Sequence, residues 1–484
     1  MEDVLNYIDG RWSPAVNGKW LDNIEPATGE VYSRLPDSDE EDVNLAVDAA
    51  QSAFDEWAGM LADERSAVMM RIADLIDRDR DVLAIAESRD NGKPVKLAEK
   101  VDIPRASANI RFYATAIRHY ASSSHIQPGK MINYTIRSPH GVAACISPWN
   151  LPLYLFTWKI APAIAAGNTV VAKPSELTPV TAFMFSRLCE EAGLPKGVLN
   201  IIHGTGASAG NALISHPKVP AISFTGGTAT GKHIAATAAP MFKKLSLELG
   251  GKNPNIIFAD CDFDTAVKKS VESSFANQGE ICLCGSRILV EKPIYKKFLD
   301  AFISRTNQLR ISDPMDAQAN VGALISENHL GKVMSYVELA KKEGGRIATG
   351  GERIRLMGRC AGGYFHEPTV ITGLPMNCRT NQEEIFGPVV TISTFEDEKE
   401  ALRLANQTAY GLSSTVWTEN LDRAHRVAHH LQSGIVWINT WLMRDLRTPF
   451  GGMKSSGVGR EGGWDALDFF TEPKNVCIKL GNHV

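Results

Sequence analysis

Short apolar strands alternate with helices from residue 141 onward, and this alternation restricts the fold more than any other feature of the chain. Apolar runs predict strands at 141–147, 168–173, 198–204, 221–226 and 243–251. The helices predicted between them lie at 151–167, 178–193, 206–214 and 228–239. Such repetition indicates a parallel sheet covered on both faces. We expect ligands to bind beyond the carboxyl ends of its strands.

A second series of strands and helices follows the first. It runs from "NPNIIFAD" (253–260) to "SGIVWIN" (433–439). Ahead of both series, apolar residues at helical spacing predict helices at 40–60, 62–93 and 103–121. At 484 residues the chain is too long for one ordinary core, so we expect two or three domains.

Two segments lie outside both series. They are "KMINYTIRSP" (130–139) and "PKNVCIKL" (473–480), and both are predicted to be strands. An exposed strand edge is a template for pairing with another chain. These strands would therefore suit a protruding arm that pairs with a partner subunit, which predicts a homodimer or homotetramer.

Charge balance and cysteine content exclude several classes of protein. With 51 basic and 55 acidic residues the formal net charge is −4, so there is no basic surplus for nucleic acid. The apolar run at 151–167 carries Lys159 and two prolines, which indicates a buried helix rather than a membrane span. The N-terminal residues lack a signal-peptide pattern, and eight scattered cysteines fit no disulfide scaffold. We expect a cytoplasmic protein that binds neither nucleic acid nor membrane.

The stretch "NQGEICLCGSR" (277–287) places Cys282 and Cys284 close together behind a turn. Spacing alone allows a metal pair, a disulfide, two packed side chains or one reactive thiol. No second Cys/His pair lies at zinc-ligand spacing, and His425 and His429 lack a neighbouring Glu or Cys ligand. We therefore expect no metal site, but the spacing does not distinguish the two cysteines.

Two of the predicted strands end in polar residues at the same sheet edge. Asn150 closes "SPWN" (147–150), where its amide could donate to a developing oxyanion. Glu248 lies between two leucines in "LELGGKN" (247–253), where burial would raise its pKa toward that of a general base. Cys282 could then be a nucleophile, with its thiolate favoured by an adjacent cation such as an oxidised nicotinamide.

Two motifs are compatible with a bound nucleotide. "FTGGTATG" (224–231) is a strand, a glycine turn and a helix whose N–H groups could approach a phosphate, although it fits no dinucleotide or Walker fingerprint. In "VVAKPSE" (170–176), Lys173 and Glu176 end a strand and could hold a ribose. A carboxylate there opposes a 2′-phosphate, which favours NAD over NADP.

The stretch "HGTGASAG" (203–210) allows opposing interpretations. Gly204 and Gly206 near a strand end suggest a dinucleotide, whereas the G-x-S-x-G around Ser208 matches the nucleophile elbow of hydrolases. Small residues that let a helix pack closely on the sheet would produce the same pattern.

Seven motifs together resemble those of the NAD(P)-dependent aldehyde dehydrogenase superfamily: "SPWN", "KPSE", "FTGGTATG", "LELGGKN", "NQGEICLCGSR", "EEIFGPV" and "PFGGMKSSGVGRE". They follow its order and spacing from residue 147 to 461. The resemblance implies an α/β fold with two open parallel-sheet domains and a β-strand oligomerisation arm. The implied boundaries are an NAD-binding domain at 1–123 and 141–249, a catalytic domain at 250–466 and an arm at 124–140 and 467–484.

The resemblance also implies a mechanism. Cys282 would attack the aldehyde, with the oxyanion held by the Asn150 amide and the main-chain N–H of Cys282. After hydride transfer, Glu248 would activate water to hydrolyse the thioester, and Glu461 matches a proton-relay position. Glu280 departs from the motif, since many relatives carry Gln there. We expect it to alter the local charge rather than remove activity.

The same matching implies a site for NAD. Lys173 and Glu176 would hold the adenosine ribose, and Glu384 the nicotinamide ribose, with Phe386 against the nicotinamide end. The other cofactor-binding residues implied by the resemblance are Ser147, Trp149, Gly206, Phe224, Gly226, Gly227, Thr230 and Leu249.

Segments such as "KVDIPRASANIRFYA" (100–114) and "NTWLMRDLRTPFGG" (439–452) look like the subfamily that oxidises 2-aminomuconate or 2-hydroxymuconate 6-semialdehyde. Such substrates carry a carboxylate, which arginine can bind through two hydrogen bonds. We expect Arg105 and Arg444 to do so, with Arg447 competing with Arg444. The alternatives are oxidation of an uncharged apolar aldehyde and, outside this class, a serine hydrolase that uses Ser208.

Overall fold

The first sheet of the molecule has eight strands, and its five central strands run parallel. The computed structural model describes residues 3–481. In spatial order the strands are Arg11–Ser13, Asn6–Ile8, Leu199–Ile201, Thr169–Lys173, Val142–Ile146, Ala221–Thr225, Lys244–Glu248 and Gly457–Val458. The middle strands of the parallel set are almost fully buried, as continuous apolar runs require. The predicted parallel sheet is confirmed.

The second sheet has seven strands, of which six are parallel. In spatial order they are Arg346–Thr349, Thr369–Thr372, Val389–Phe395, Arg287–Glu291, Pro254–Ile257, Ser413–Trp417 and Ile435–Ile438. The first of these is an antiparallel edge strand with an irregular register. The second strand-helix series therefore also forms a parallel sheet, and the α/β fold class is confirmed.

Helices cover both sheets. Those of eight or more residues are Glu40–Gly59, Ala62–Arg78, Arg80–Asn91, Ile103–Ala116, Pro152–Ala165, Val180–Glu191, Thr228–Ala238, Phe263–Phe275, Tyr295–Thr306, Glu327–Lys342, Glu398–Asn406 and Leu421–His430. Helix Ile103–Ala116 packs between Ala62–Arg78 and Pro152–Ala165. Their apolar faces join a single large core against the first sheet.

The single helix predicted at 62–93 is wrong, because the chain forms two helices that meet at Asp79. Asp79 has φ −97° and ψ 18°, outside the helical region. Its main-chain N–H donates to the carbonyl of Leu75, and the first helix ends there. Aspartate is a weak helix former. Here its carboxylate also accepts a hydrogen bond from Arg78 at 2.7 Å, and Arg78 bonds to Glu191 as well.

The two strands that belonged to neither series pair with each other. Thr471–Lys479 lies antiparallel to Met131–Pro139, which in turn pairs with Ser124–Gln127. This three-stranded arm is exposed along most of its length, and Ile126 and Ile478 stand in solvent. Short antiparallel pairs elsewhere join Trp20–Glu25 to Glu30–Pro36, Arg353–Ile354 to Phe365–His366 and Tyr410–Gly411 to Met453–Lys454. Between residues 3 and 481, no helix is long and apolar enough to cross a membrane.

Candidate active site

Polar residues lie at the carboxyl ends of three adjacent strands of the first sheet. Val142–Ile146 leads into Asn150, Ala221–Thr225 ends at Thr225, and Lys244–Glu248 ends at Glu248. Because carboxyl ends of parallel strands meet at one edge, these residues line two neighbouring cavities: Glu248 lines one, Asn150 lines the other, and Thr225 lines both. Asn150 and Glu248, which the sequence placed at one sheet edge, do lie beyond the carboxyl ends of adjacent parallel strands.

Cys282 lies in a loop that follows a strained turn. Asn277 and Gln278 both adopt left-handed φ values, 50° and 56°, and the Asn277 amide bonds to the carbonyls of Asn150 and Glu280. The amide of Asn253 donates to the Cys282 carbonyl at 2.7 Å and to the Cys284 carbonyl at 2.9 Å. The loop is thus held by hydrogen bonds from several separate elements.

Two cavities meet at Cys282. One, of about 250 Å³, is lined largely by apolar side chains, and the other, of about 240 Å³, holds glycines, Glu384 and aromatic rings. Cys282 lines both, whereas Cys284 is only 5% exposed and lines neither. One thiol can therefore meet two different molecules, one from each side.

The Cys282 thiol is not activated by the protein alone. Burial raises the pKa of Cys282, and the carboxylates of Glu384 and Glu248 raise it further, while Arg444 acts in the opposite direction. A thiolate needs an additional positive charge nearby. An oxidised nicotinamide in the second cavity would supply that charge.

Asn150 is buried and anchored through its main chain. Its carbonyl accepts a hydrogen bond from Lys93 at 2.9 Å, and Lys93 is itself paired with the buried Asp102. The Asn150 amide donates to the carbonyl of Glu280 at 2.8 Å. An amide carries two donor hydrogens, so one remains for an oxyanion.

Glu248 is 3% exposed, and neither of its carboxylate oxygens has a partner among the described residues. Burial raises the pKa of Glu248 well above its usual range, and the charge of Glu461 raises it further. Gly451 packs directly against this carboxylate: a Cβ at Gly451, where φ is +156°, would lie 2.7 Å from Glu248 Oε1. The predicted rise in pKa agrees with this environment.

Glu461 belongs to a buried polar group that the sequence did not reveal. Its Oε1 accepts from Lys159 Nζ at 2.7 Å and from Ser223 Oγ at 3.0 Å. Lys159 is 1% exposed, on the apolar helix Pro152–Ala165. A lysine inside so apolar a helix is a signal that a carboxylate partner exists, but not which one.

Glu280 is completely buried. Its Oε1 accepts from the N–H of Ile325 at 3.2 Å and lies 3.6 Å from Nε2 of His329. Burial raises the pKa of Glu280 well above its usual range and lowers the pKa of His329 to about 4. Burial thus disfavours a charge on either group. The effect of Glu280 on the local charge stays a prediction.

Several residues matched to a cofactor line the second cavity. The rings of Trp149 and Phe386 meet edge to face, with centroids 5.3 Å apart, and Glu384 Oε1 accepts from the N–H of Gly251 at 2.8 Å. Gly226 and Gly227 form its floor, and a Cβ on Gly227 would meet nothing within 4 Å. Helix Thr228–Ala238 begins directly after them, so its N-terminal N–H groups can receive a phosphate.

The remaining residues matched to the cofactor lie around and beyond this cavity. Lys173 Nζ is 3.4 Å from Glu176 Oε2, and the main-chain N–H of Ser147 donates to the Lys173 carbonyl. Gly206 and Thr230 are exposed. Phe224 packs under Gly226, where a Cβ would lie 2.4 Å from its ring, and Leu249 lines both cavities. The residues present thus fit a dinucleotide that extends from Glu176 to Phe386.

The first cavity contains two arginines, and Tyr154 contacts both. Arg444 Nη1 donates to the Tyr154 hydroxyl at 2.6 Å, and the Arg105 guanidinium lies 5.6 Å from the centre of the Tyr154 ring. Neither arginine is ion-paired with a carboxylate in the described part of the chain. Arg447 does not line the cavity; its side chain is 79% exposed and bonds to Asp445. Of the two competing residues, Arg444 is the one that faces the cavity.

Ser208 lies in a different environment. It is part of a helical turn, Gly206–Gly210, and its Oγ donates to the main-chain carbonyl of Ser38 at 3.0 Å. No hydrogen bond joins Ser208 to a histidine within residues 3–481. The serine-hydrolase alternative lacks the base that it requires.

A thiol that lines two cavities, a buried carboxyl group in one of them and a nucleotide-type glycine turn in the other are the arrangement expected of a cofactor-dependent enzyme. The model of the aldehyde dehydrogenase family matches residues 12–476. The chain belongs to the aldehyde dehydrogenase family, and it is an NAD-dependent aldehyde oxidoreductase.

Similar proteins cover almost the whole chain. The 2-aminomuconic semialdehyde dehydrogenase of Danio rerio is 52% identical over 477 residues, 98% of each protein. The 2-hydroxymuconic semialdehyde dehydrogenase of Pseudomonas sp. (strain CF600) is 45% identical over 99% of this chain and 100% of its own length. The NAD+ complex of an aldehyde dehydrogenase from Bacillus cereus is 39% identical, with a TM-score of 0.96 over 99% of this chain and 97% of its own.

Proposed function

We propose that the enzyme oxidises a muconate-type 6-semialdehyde, either the 2-amino or the 2-hydroxy compound, to the dicarboxylate. The observation that carries this proposal is the pair of arginines, Arg105 and Arg444, in the wall of a cavity whose other lining residues are mostly apolar or acidic. Burying part of a guanidinium group costs free energy when no carboxylate pairs with it. A carboxylate on the substrate would supply that partner. The names of the similar proteins support the same substrate class.

In this proposal the aldehyde end of the substrate lies at Cys282 and its carboxylate lies between the arginines. Cys282 Sγ would attack the carbonyl carbon, and the resulting oxyanion would accept hydrogen bonds from the Asn150 amide and the main-chain N–H of Cys282. Since Asn150 is fixed through Lys93 and Glu280, its free N–H is preorganised for that charge.

The later steps would use the two buried acids. NAD, when bound, supplies the hydride acceptor, and it would be held by Lys173, Glu176 and Glu384, with the glycine turn beside the phosphates. Glu248 would remove a proton from the water that attacks the thioester on Cys282. Glu461 would then pass that proton outward, because Lys159 and Ser223 hold its carboxylate close to Glu248.

Removing either arginine is expected to weaken binding of an acidic aldehyde selectively. Arg105→Gln and Arg444→Gln should each raise KM for 6-oxohexanoate about 10- to 100-fold, the equivalent of roughly 1.5–3 kcal/mol for hydrogen bonds to a charged group. KM for hexanal, which has the same length but no carboxylate, should change less than about threefold. Steady-state formation of NADH with both aldehydes measures the difference.

Arg447→Gln provides the matched control, because Arg447 is exposed and already bonded to Asp445. It should leave both KM values unaltered. If Arg105→Gln and Arg444→Gln affected hexanal as strongly as 6-oxohexanoate, oxidation of an uncharged apolar aldehyde would be the better proposal.

Tyr154 is expected to position Arg444 for the substrate. Tyr154→Phe removes the hydroxyl that accepts from Arg444 at 2.6 Å but keeps the ring beside Arg105. Losing a single hydrogen bond should raise KM for 6-oxohexanoate roughly three- to tenfold, with kcat within about twofold. If Tyr154→Phe raised KM by the same factor in the Arg444→Gln background, the double-mutant cycle would show no coupling between the two residues, and this role would be contradicted.

We also propose the quaternary arrangement and cellular location that the sequence suggests. The exposed arm of Ser124–Gln127, Met131–Pro139 and Thr471–Lys479 would pair with a second subunit and give a homodimer or homotetramer. The NAD-binding domain would comprise 1–123 and 141–249, the catalytic domain 250–466, and the arm 124–140 and 467–484. All eight cysteines are free, which supports a reducing, cytoplasmic compartment.

A further inference from the structure

A second, wider opening adjoins the cavity that contains the arginines. It encloses about 500 Å³ between the segment 94–101, the helix Phe263–Phe275 and the end of the helix Tyr295–Thr306. We call it the vestibule. Leu97, Val101, Glu272 and Ala276 line both spaces. A molecule that crosses the vestibule therefore reaches the wall of the substrate cavity.

The vestibule is strongly basic. Lys96, Lys100, Lys268 and Arg305 line it from three different elements. None of the four forms an ion pair with a carboxylate in the part of the chain that is described. The one acidic residue among its lining residues, Glu272, is already paired with Lys269 at 2.8 Å.

This local surplus of positive charge contrasts with the whole chain, whose formal net charge is −4. A general basic composition does not explain it. A concave surface lined by charges of one sign concentrates the electrostatic potential and attracts ions of opposite sign, with association rates raised by about 10- to 1,000-fold. Further in, Arg105 and Arg444 line the substrate cavity, where the acidic residues Glu248, Glu272 and Glu461 also lie.

We propose that the vestibule is a docking site for the carboxylate of an incoming acidic aldehyde. The vestibule attracts and orients the anion before the aldehyde group enters the cavity and reaches Cys282. This inference rests on the proposed acidic substrate, but it concerns a separate set of residues and a separate step. Because the four cations are exposed or half-buried, the interaction is screened by salt and acts on association rather than on the chemical steps.

The test compares a vestibule variant with a control of equal charge. The variant Lys96→Gln/Lys100→Gln/Lys268→Gln removes three vestibule charges. The control Lys296→Gln/Lys342→Gln/Lys399→Gln removes three exposed lysines that are unpaired among the described residues and line neither space. Both variants change the net charge of the chain equally. Each is assayed for kcat/KM with 6-oxohexanoate and hexanal over a range of ionic strength.

At low ionic strength the vestibule variant should lower kcat/KM for 6-oxohexanoate about tenfold and leave hexanal within about twofold. The salt dependence for 6-oxohexanoate should be steep in the unaltered enzyme and in the control, and shallow in the vestibule variant. Near 1 M salt, where the Debye length is about 3 Å, the three enzymes should converge.

Equal salt slopes in the vestibule variant and the control would overturn the proposal, as would a salt-independent kcat/KM in the unaltered enzyme. The proposed function fails by a different result, namely equal effects of Arg105→Gln on 6-oxohexanoate and hexanal. Hexanal turnover reports whether each variant is folded. If the triple variant loses it, the single variants Lys100→Gln and Lys268→Gln, on two separate elements, repeat the test.

Discussion

Replacing Cys282 with Ala is expected to lower kcat for aldehyde oxidation by about 10⁴-fold or more, the scale reached when a covalent nucleophile is removed. Cys282 lines both the cavity with the arginines and the cavity with the glycine turn. Without its sulfur no covalent bond to the aldehyde can form, and no other thiol lines either of these two cavities. NADH formation measures the loss, and retained binding of NAD shows that the variant is folded.

Cys284→Ala is the matched control, since this thiol lies two residues further on and its carbonyl is held by the same Asn253 amide. Its burial predicts a small loss of stability, about 1 kcal/mol, with kcat within about threefold of the unaltered enzyme. Ser208→Ala should also remain active. Activity that survived Cys282→Ala but was lost in Ser208→Ala would restore the serine-hydrolase alternative.

Features encoded in short, local patterns were predictable from the sequence. The apolar runs at 142–146, 169–173 and 221–225 are parallel strands because their residues are buried on both faces. Asn150 and Glu248 could be assigned to one sheet edge since each directly follows or ends such a strand. The apolar residues around Glu248 in the sequence predicted a raised pKa, and burial is the main cause of that rise in the structure.

Features that depend on distant contacts were not predictable. Lys159 and Glu461 are 302 residues apart in the chain, and no local pattern pairs them. The role of Tyr154 depends on two arginines that come from separate parts of the chain. Arg444 and Arg447 differ by only three positions, and the hydrogen bond from Arg447 to Asp445 decides which one faces solvent. Spacing did not distinguish the two cysteines either; the family resemblance pointed to Cys282, and in the structure Cys282 lines both cavities whereas Cys284 lines neither.

Replacing Glu248 with Gln should separate formation of the thioester from its hydrolysis. Glutamine keeps the size of the side chain but cannot accept a proton, so steady-state turnover should fall about 10²- to 10⁴-fold. Thioester formation depends on Cys282 and Asn150, and it should persist as a single burst of about one NADH per active site. Rapid-mixing measurements of NADH and the intact mass of the acylated protein record the two steps.

The rate of thioester hydrolysis should also depend on pH differently in the unaltered enzyme and in Glu248→Gln. Burial and the charge of Glu461 raise the pKa of Glu248, so at low pH the carboxyl is protonated and cannot act as a base. Thioester hydrolysis in the unaltered enzyme should therefore accelerate as the pH rises through this raised pKa, whereas in Glu248→Gln that step should not. Hydroxylamine, added after excess aldehyde is removed, should release the acyl group from Glu248→Gln because it attacks the thioester without a base. A missing burst, or an unchanged pH profile in Glu248→Gln, would show that Glu248 acts before the thioester forms or in another role.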